Sequence, residues 1–331
     1  MLKHFRLTSL FLLTAVPLMV LFAACGSTSS NSKTIGLSLS SMDNSFFTNL
    51  DKGVKAEAAK YSYNVVDNNA NNDASTQVSQ VENMITRKVD VLIINPVSSQ
   101  GISPVVQQAN SAGIPVITLD RSSTSGKVTS FVQSNSVTMA QQAGDWIAQQ
   151  LHARSGSYKG NVVDLEGQLG TSSAQDRETG FRQEMQKYPG INIVATQAAN
   201  FDQETAYNVM SNILQGHSQI DAVFGANDDT AIGAIRAIQA AHRYAPAGSP
   251  KHIFVIGIDG TPQSLNQIKN NNGVDATVAQ DPLGMGKKAV DLAANHFTNK
   301  SVTSLVYFPD MLITVQNVNS QSVKDFGISF N

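Results

Sequence analysis

The feature that most constrains this fold is a regular alternation of short apolar segments with amphipathic ones. From Thr34 onward, apolar runs such as Val89–Asn95 and Ile114–Leu119 have the continuous hydrophobicity of strands that are buried on both faces. Between such runs lie segments with apolar residues at helical spacing, for example Phe46–Tyr61. The alternation of strands with helices of this length predicts βαβ units and parallel sheets.

The number of such units predicts two domains. The predicted strands are Thr34–Ser40, Tyr63–Asp67, Val89–Asn95, Ile114–Leu119, Val128–Val132, Val162–Glu166, Ile191–Gln197, Ala222–Ala226, Ile253–Asp259 and Val274–Ala279. These are more strands than one ordinary sheet holds, so we expect an α/β protein with two doubly wound parallel sheets. In open parallel sheets, ligands bind outside the carboxyl ends of the strands.

Polar and aromatic side chains follow these predicted strands. Amides, carboxylates and guanidinium groups can hydrogen-bond to the hydroxyls of a sugar, and phenylalanine rings can stack on its C–H faces. An Asn or Asp after a strand can equally be the N-cap of the next helix. Capping does not explain the Phe46-Phe47 pair in a polar turn, or Asp120 beside Arg121 at the end of a buried strand. Together these residues favour a polar cleft that suits a sugar.

Uncharged amides outnumber the charges in this chain. The 331 residues include 27 Asn and 24 Gln, against 23 basic and 25 acidic residues, and the formal net charge is −2. A chain with no basic excess is poorly suited to neutralising nucleic-acid phosphates. Hydrophobic residues make up 41% of the chain, which is enough for real cores. The composition therefore excludes a nucleic-acid partner and a disordered chain.

The first 33 residues have the pattern of an export signal and a tether. A basic start with Lys3 and Arg6 precedes an uncharged, mostly apolar run, which ends at Ala23-Ala24 before the single cysteine, Cys25. This stretch resembles a bacterial lipobox, in which the cysteine is lipidated and becomes the mature N-terminus. We expect a signal peptide at 1–24, and a lipidated Cys25 with a flexible tether at 25–33. One cysteine also excludes an intramolecular disulfide.

Several segments, taken in order, resemble the ribose-binding proteins of bacterial ABC sugar importers. The segments are Asn44-Ser45-Phe46-Phe47, Ile93-Ile94-Asn95-Pro96, Ile114–Arg121, Gly170-Thr171-Ser172, Phe201-Asp202, Ala226-Asn227-Asp228 and Gly257–Pro262. The resemblance runs from about Thr34 to Gln316. It implies the type I periplasmic binding protein fold, with two lobes joined by three hinge crossings. The N-terminal lobe would be 34–134 plus 281–309, and the C-terminal lobe 135–280 plus 310–331.

The resemblance also implies a set of ligand-binding residues. Phe47 and Phe201 would stack on opposite faces of the sugar ring. The other ligand-binding residues would be Asn44, Phe46, Asn95, Asp120, Arg121, Arg177, Asn227, Asp259 and Gln280. No cofactor and no metal ion are implied.

The function implied is capture of a monosaccharide, D-ribose first, by closure of the two lobes. The protein would be a monomer outside the cytoplasm, held to the membrane only by its lipid anchor. It would deliver the sugar to an ABC transporter permease, and a chemoreceptor is a further candidate partner. A ligand that contacts both lobes only when they are closed shifts the equilibrium toward the closed form.

Two other functions, and other ligands within the same class, are the alternatives. An enzyme could use Asp120 with Asp259, or Glu166, as paired carboxylates, but no His follows a predicted strand and no nucleophile elbow or Walker loop occurs. A sugar-responsive repressor would need a helix-turn-helix before residue 34, where a signal peptide is predicted. Within the sugar-binding class, allulose, allose, another pentose or a signalling furanose stays open as the ligand.

Overall fold

A computed structural model describes residues 1–2 and 32–326 of the chain. The described residues from Ser32 onward belong to one compact unit. Most of the predicted signal peptide, Cys25 and the tether up to Asn31 lie outside the described residues, as do residues 327–331. Within the described part of the chain, no helix is both long and apolar enough to span a bilayer.

Twelve strands and ten helices make up the described residues. In chain order they are β1 Thr34–Leu39, α1 Ser45–Lys60, β2 Asn64–Asn69, α2 Ala74–Thr86, β3 Val91–Ile94, α3 Ser103–Ser111, β4 Val116–Leu119, β5 Ser130–Ser134, α4 Ser136–Ser155, β6 Gly160–Glu166, α5 Ser172–Met185, β7 Ile191–Ala198, α6 Gln203–Gly216, β8 Ala222–Gly225, α7 Asp228–Ala240, β9 Phe254–Asp259, α8 Pro262–Asn270, β10 Ala276–Ala279, α9 Pro282–Phe297, β11 Leu305–Phe308, β12 Met311–Thr314 and α10 Gln321–Asp325.

The first lobe is built on a six-stranded sheet in the order β11-β5-β4-β3-β1-β2. All of its strands are parallel. Helices α1 and α9 pack against one face, where Leu50 and Val290 are fully buried, and α2 and α3 cover the other face with residues such as Val81 and Val106. Burial on both faces explains why β3 and β4 are continuously apolar.

The second lobe has a six-stranded sheet in the order β12-β10-β9-β8-β6-β7. Its strands are parallel except β12, which runs antiparallel to β10. Helices α4 and α5 cover one face, and α6, α7 and α8 cover the other. The predicted architecture of two doubly wound α/β lobes is therefore confirmed.

The chain passes between the two sheets three times. It leaves the first sheet after β5, returns between β10 and α9, and crosses again between β11 and β12. Strands β11 and β12 were not among the strands predicted from the apolar pattern. Both are apolar runs of four residues, but only Pro309 and Asp310 separate them, so they do not continue the alternation of strands with helices from which the other strands are predicted.

Polar residues after the strands begin the next helices. Asn44 Oδ1 accepts the backbone N–H groups of Phe46 and Phe47 at the start of α1, at 3.1 and 3.4 Å. Asn227 Oδ1 accepts the N–H group of Thr230 at 2.9 Å and begins α7. Such caps satisfy amides that the first turn of a helix leaves free. They fix each helix against the carboxyl edge of its sheet.

Candidate functional site

A cavity lies between the carboxyl edges of the two sheets. The residues that line it are Asn44, Phe46, Phe47, Asp120, Arg121, Ser173, Arg177, Phe201, Asn227 and Asp259. The first five belong to the first lobe and the other five to the second. The volume left free between these side chains is about 20 Å³, so the two lobes lie close together around the cavity.

Two aromatic side chains face the same region from opposite lobes. The guanidinium carbon of Arg121 lies 5.6 Å from the ring centre of Phe47 and 5.5 Å from that of Phe201. Phe46 packs edge-on against Phe47, with the ring centres 5.5 Å apart. Phe201 lies in the loop after β7 and takes a left-handed backbone conformation with φ of 59°. The structure thus brings the two predicted stacking residues to either side of one arginine.

Arg121 is held by backbone and side-chain oxygens at the end of the first sheet. Its Nη1 donates to the Pro96 carbonyl at 3.2 Å and to Gln168 Oε1 of the second lobe at 3.2 Å. Its Nε lies 3.5 Å from Asp120 Oδ2 but has no hydrogen-bond partner among the described residues. Asp120 itself has a positive φ of 59°, which is uncommon for a residue other than glycine. The β4 end therefore presents a buried carboxylate and a buried guanidinium group side by side.

Arg177 occupies the corresponding position in the second lobe. Its Nη1 donates to the Ala226 carbonyl at 2.6 Å, and its Nη2 donates to Asp259 Oδ1 at 3.4 Å. Its Nε also lacks a hydrogen-bond partner among the described residues. The guanidinium carbon lies 5.3 Å from the ring centre of Phe201. Both lobes thus place one Asp–Arg pair beside an aromatic ring.

Two of the predicted ligand-binding residues, Asn95 and Gln280, do not line the cavity but contact residues that do. Asn95 is fully buried, accepts from Ser40 Oγ at 2.6 Å and donates to the Leu119 carbonyl at 2.9 Å. Gln280 donates from Nε2 to Asp259 Oδ1 at 2.7 Å and lines a neighbouring crevice of about 290 Å³. Asn95 Nδ2 also lies 3.5 Å from Asp120 Oδ2. Asn95 and Gln280 therefore each hold one carboxylate of the cavity in place.

The cavity contains two carboxylates and two guanidinium groups, and burial shifts the pKa values of both carboxylates. Burial raises the pKa of Asp120, and the guanidinium groups of Arg121 and Arg177 oppose that rise. Burial likewise raises the pKa of Asp259 to about 6, with Arg177 acting in the opposite direction. Two carboxylates facing two guanidinium groups give no strong net charge. Such a site suits a neutral ligand with many hydroxyls better than an ion.

Sequence analysis missed three residues that belong to the site or support it. Ser173 lines the cavity from the first turn of α5. Asp229 accepts from Asn44 Nδ2 across the lobes at 2.9 Å. Asp228 accepts from the Thr261 amide at 2.7 Å and from Thr277 Oγ1 at 2.7 Å, so it braces the loop after β9. All three come soon after predicted strands, but nothing in their residue type separates them from ordinary helix starts.

Further hydrogen bonds join the two lobes directly beside the cavity. The loop between β6 and α5 docks on the first lobe, where the Ser99 amide donates to the Gly170 carbonyl at 3.0 Å. The Ser172 amide donates to Ser99 Oγ at 3.1 Å, and the Ser122 amide donates to Ser172 Oγ at 3.0 Å. These contacts hold the lobes together independently of the cavity lining.

The described residues contain no group of three or more His, Cys, Asp or Glu side chains placed to hold a metal ion. The polar groups of the cavity are amides, paired carboxylates, guanidinium groups and the Ser173 hydroxyl. The site is therefore built for hydrogen bonding and stacking.

Comparisons with known proteins agree with this architecture. Residues 35–301 match the family model described as a periplasmic binding protein domain. The ribose import binding protein RbsB of Bacillus subtilis is 41% identical over 308 residues, which cover 92% of this chain and 96% of that protein. The Escherichia coli protein of the same name is 37% identical over 282 residues, which cover 85% of this chain and 90% of the relative.

Solved structures give the same result. An ABC transporter solute-binding protein from Bacillus halodurans, solved with bound myo-inositol, has a TM-score of 0.80 and 32% identity, covering 88% of this chain and 98% of that one. One from Actinobacillus succinogenes, solved with bound D-allose, has a TM-score of 0.78 and 29% identity, covering 87% and 99%. The family match, the relatives and the two-lobed fold lead to one conclusion: this chain belongs to the periplasmic binding protein family.

Proposed function

We propose that this protein captures a monosaccharide, D-ribose first, between its two lobes and delivers it to the permease of an ABC importer. The observation that carries the proposal is the pairing across the cavity of Phe47 with Phe201 and of two Asp–Arg pairs. The curated relatives named above are ribose import binding proteins. Periplasmic binding proteins act outside the cytoplasm and bind solutes without converting them.

In this proposal the sugar ring lies between Phe47 and Phe201. Arg121 Nε and Arg177 Nε, both buried donors without a hydrogen-bond partner among the described residues, donate to sugar hydroxyls. Asp120 and Asp259 accept from hydroxyls, and Asn44 and Asn227 contribute amides. Asn95 and Gln280 hold the two carboxylates, and Gln280 Oε1 is a further acceptor without a partner in the described chain. Leaving such groups unpaired costs about 1–3 kcal/mol each, which favours a hydroxyl-rich ligand.

Entry of the sugar requires the lobes to separate, because about 20 Å³ is room for a single water position. The proposed lobes are 34–134 plus 281–309 and 135–280 plus 310–331, which meet at the three crossings. In the open form, the hydrogen bonds of Ser99 with Gly170 and of Asn44 with Asp229 are broken. The sugar favours closure because it contacts both lobes at once.

A second monosaccharide is the main alternative ligand. The related solved structures hold myo-inositol and D-allose, so the same fold accommodates six-carbon ligands. Allulose, allose and other pentoses therefore belong in the test. The experiment is calorimetry with a panel of pentoses and hexoses on the chain from Gly26 onward. Ribose should bind most tightly, and Phe201→Ala and Arg121→Ala should each abolish measurable binding. Tighter binding of another sugar would replace ribose as the proposed ligand, and the protein would still be a sugar-binding protein.

We also propose that residues 1–24 are a signal peptide and that Cys25 is lipidated, so that residues 26–33 tether a monomeric domain to the membrane. The support is the single cysteine directly after Ala23-Ala24 at the end of an apolar run. Mass spectrometry of the protein extracted from membranes should find diacylglyceryl on the first residue, Cys25. Cys25→Ser should release the protein into the soluble fraction. Membrane retention of this variant would contradict the lipid anchor.

A further inference from the structure

One end of the first lobe carries an unusual share of basic side chains. Because the six strands of its sheet are parallel, the segments that precede them lie along one edge, at the opposite ends of the strands from the cavity. We call this surface the basic pole; it comprises residues 32–33, 57–63, 83–90, 108–115, 127–129 and 294–304. Its basic residues are Lys33, Lys60, Arg87, Lys88, Lys127 and Lys300, and its acidic residues are Glu57 and Asp90. The whole chain, in contrast, has slightly more acidic than basic residues.

Both acidic residues of the basic pole are already paired. Lys33 Nζ lies 2.7 Å from Asp90, and Lys60 Nζ lies 2.7 Å from Glu57. The other four basic side chains are exposed and form no ion pair with any described residue. They are Arg87, Lys88, Lys127 and Lys300. They precede β3, β5 and β11, so they spread along an edge roughly 14 Å wide, three strand spacings. The surface therefore presents four free cations, and the carboxylates at its border are Glu82 on α2 and Asp291 on α9, which accepts from the Tyr61 hydroxyl at 3.0 Å.

Helix ends account for only part of this charge. Basic residues are favoured at helix C-termini by the helix dipole, and Arg87 and Lys88 follow α2 directly. The same edge of the second sheet also carries basic residues, but most of them are engaged. Arg154 pairs with Asp221 and Lys187 with Glu184, and Arg243 donates to main-chain carbonyls. Free cations in this number are thus particular to the first lobe.

The chain enters the structure at this same surface. Lys33 immediately precedes β1 and lies eight Cα–Cα steps from Cys25, a length that spans at most about 29 Å. Tyr61 is exposed on the basic pole and stacks on Tyr63, with ring centres 5.3 Å apart. Tyrosine is favoured at the interface between membrane and water. An anchor at Cys25 would hold this surface, and not the opposite end of the molecule, next to the bilayer.

We propose that the basic pole docks on the anionic lipid headgroups of the membrane to which the protein is tethered. The proposal rests on the proposed lipid anchor for its orientation, but the attraction comes from the surface itself. Each Lys or Arg near an anionic bilayer strengthens adsorption about fivefold. With this pole on the bilayer, the cavity stands about one strand length away, roughly 20 Å, and remains open to solvent for sugar capture.

The test is vesicle co-sedimentation of the chain from Gly26 onward, which contains the whole compact unit but no anchor. We expect binding to vesicles with about one third phosphatidylglycerol, no measurable binding to pure phosphatidylcholine, and weakening as salt is added. The double variant Lys88→Glu/Lys127→Glu should weaken adsorption tenfold or more, since reversing two charges removes about two fivefold gains and adds repulsion.

The matched control reverses two exposed lysines at the far end of the second lobe, Lys159→Glu/Lys251→Glu, and should change adsorption less than twofold. Equal weakening by both double variants, or equal binding to both kinds of vesicle, would overturn the proposal. Ribose binding is measured on the same samples and should be unchanged in all of them. Vesicle binding without ribose binding would instead count against the proposed ligand.

Discussion

At the scale of single residues, the site depends on groups that never touch a ligand. Gly167 illustrates this, because a Cβ atom there would lie 2.1 Å from the Phe201 ring. Only a residue without a side chain lets the ring take its place over the guanidinium groups. Asp228 is a second case, since its carboxylate braces Thr261 and Thr277 and burial raises its pKa to about 7. Residues such as Gly167 and Asp228, which do not line the cavity, therefore determine where the lining side chains lie.

We expect Gly167→Ala to weaken ribose binding about tenfold, or about 1.4 kcal/mol, because Phe201 must move away from its stacking position. Calorimetry measures the affinity, and thermal unfolding checks that the fold is retained. The control is Gly216→Ala, at the end of α6, where an added Cβ meets no atom within 4 Å. Unchanged affinity in Gly167→Ala would mean that Phe201 does not stack on the sugar.

A second residue-scale prediction concerns Asp164, on β6 in the core of the second lobe. Neither of its carboxylate oxygens has a hydrogen-bond partner among the described residues, although Arg182 Nη2 lies 3.9 Å from Oδ2. Burial, with repulsion from Glu166, raises its pKa from 3.8 to about 7 against the attraction of Arg182. The folded state therefore holds this proton more tightly than the unfolded chain. Its contribution to stability is greatest below pH 3.8 and is lost as the pH rises toward about 7.

Asp164→Asn should flatten that pH dependence and raise the free energy of unfolding at neutral pH by on the order of 1 kcal/mol, because no charge is then buried. Urea unfolding at a series of pH values measures both effects. Glu82→Gln removes an exposed carboxylate on α2 and should leave the profile unchanged. A steeper profile in Asp164→Asn would contradict the assignment.

At the scale of elements, the helix that follows the second crossing is locked to the first helix by two glycines. A Cβ at Gly53 of α1 would lie 2.2 Å from the Leu283 carbonyl oxygen of α9, and one at Gly286 of α9 would lie 2.4 Å from the Leu50 carbonyl oxygen. The two backbones touch here. This contact ties the start of α9, beside the crossing at Gln280, to the helix that begins with Phe46 and Phe47.

We expect Gly286→Ala to lower the free energy of unfolding by about 1–3 kcal/mol, because the two helices must separate to admit one methyl group. Urea titration measures the change in midpoint, with Gly216→Ala again as the control. Ribose affinity should also fall, since α1 carries two of the lining side chains. If Gly286→Ala were as stable as the original protein, the backbones of α1 and α9 would not be in the close contact that the structure shows.

At the scale of the whole molecule, closure joins two separately packed lobes through few direct contacts. The Asn44–Asp229 hydrogen bond is one that uses a side chain from each lobe, and Asp229 also accepts from Gln203 at 2.7 Å. The docking of Gly170 and Ser172 on Ser99 uses mostly main-chain groups. Removing one such bond should shift the balance between open and closed forms without unfolding either lobe.

We therefore expect Asp229→Ala to weaken ribose binding about fivefold, the value of about one net hydrogen bond of 1 kcal/mol. Small-angle scattering should show compaction on adding ribose in both proteins, and the variant should need a higher ribose concentration for it. The comparison is Glu204→Gln, whose side chain is 67% exposed nearby on α6, and which should behave as the original protein does. An unchanged affinity would mean that the hydrogen bond between Asn44 and Asp229 does not stabilise the closed form.

Most of the fold could be predicted because burial on both faces leaves a direct trace in the sequence. The central strands β3, β4 and β8 read as unbroken apolar runs, and the helices between them show helical periodicity. Strands β11 and β12 are also apolar runs, but only two residues lie between them, so they fall outside the alternation of strands and helices. Residue type at the strand ends indicated a polar cleft, and the resemblance to ribose-binding proteins named nine of the ten side chains that line the cavity.

By itself, the sequence determined the α/β class, the two lobes and the chemistry available at the strand ends, because these depend on local periodicity and residue type. Only the tertiary structure decided which strand ends face one another. It set Asn95 and Gln280 behind the carboxylates they support, and paired Asn44 with Asp229, a residue far along the chain. It also gathered the basic residues of five separate segments on one pole. Which residues come close together depends on how the parallel strands pair side by side in each sheet, and no local pattern of residues encodes that order.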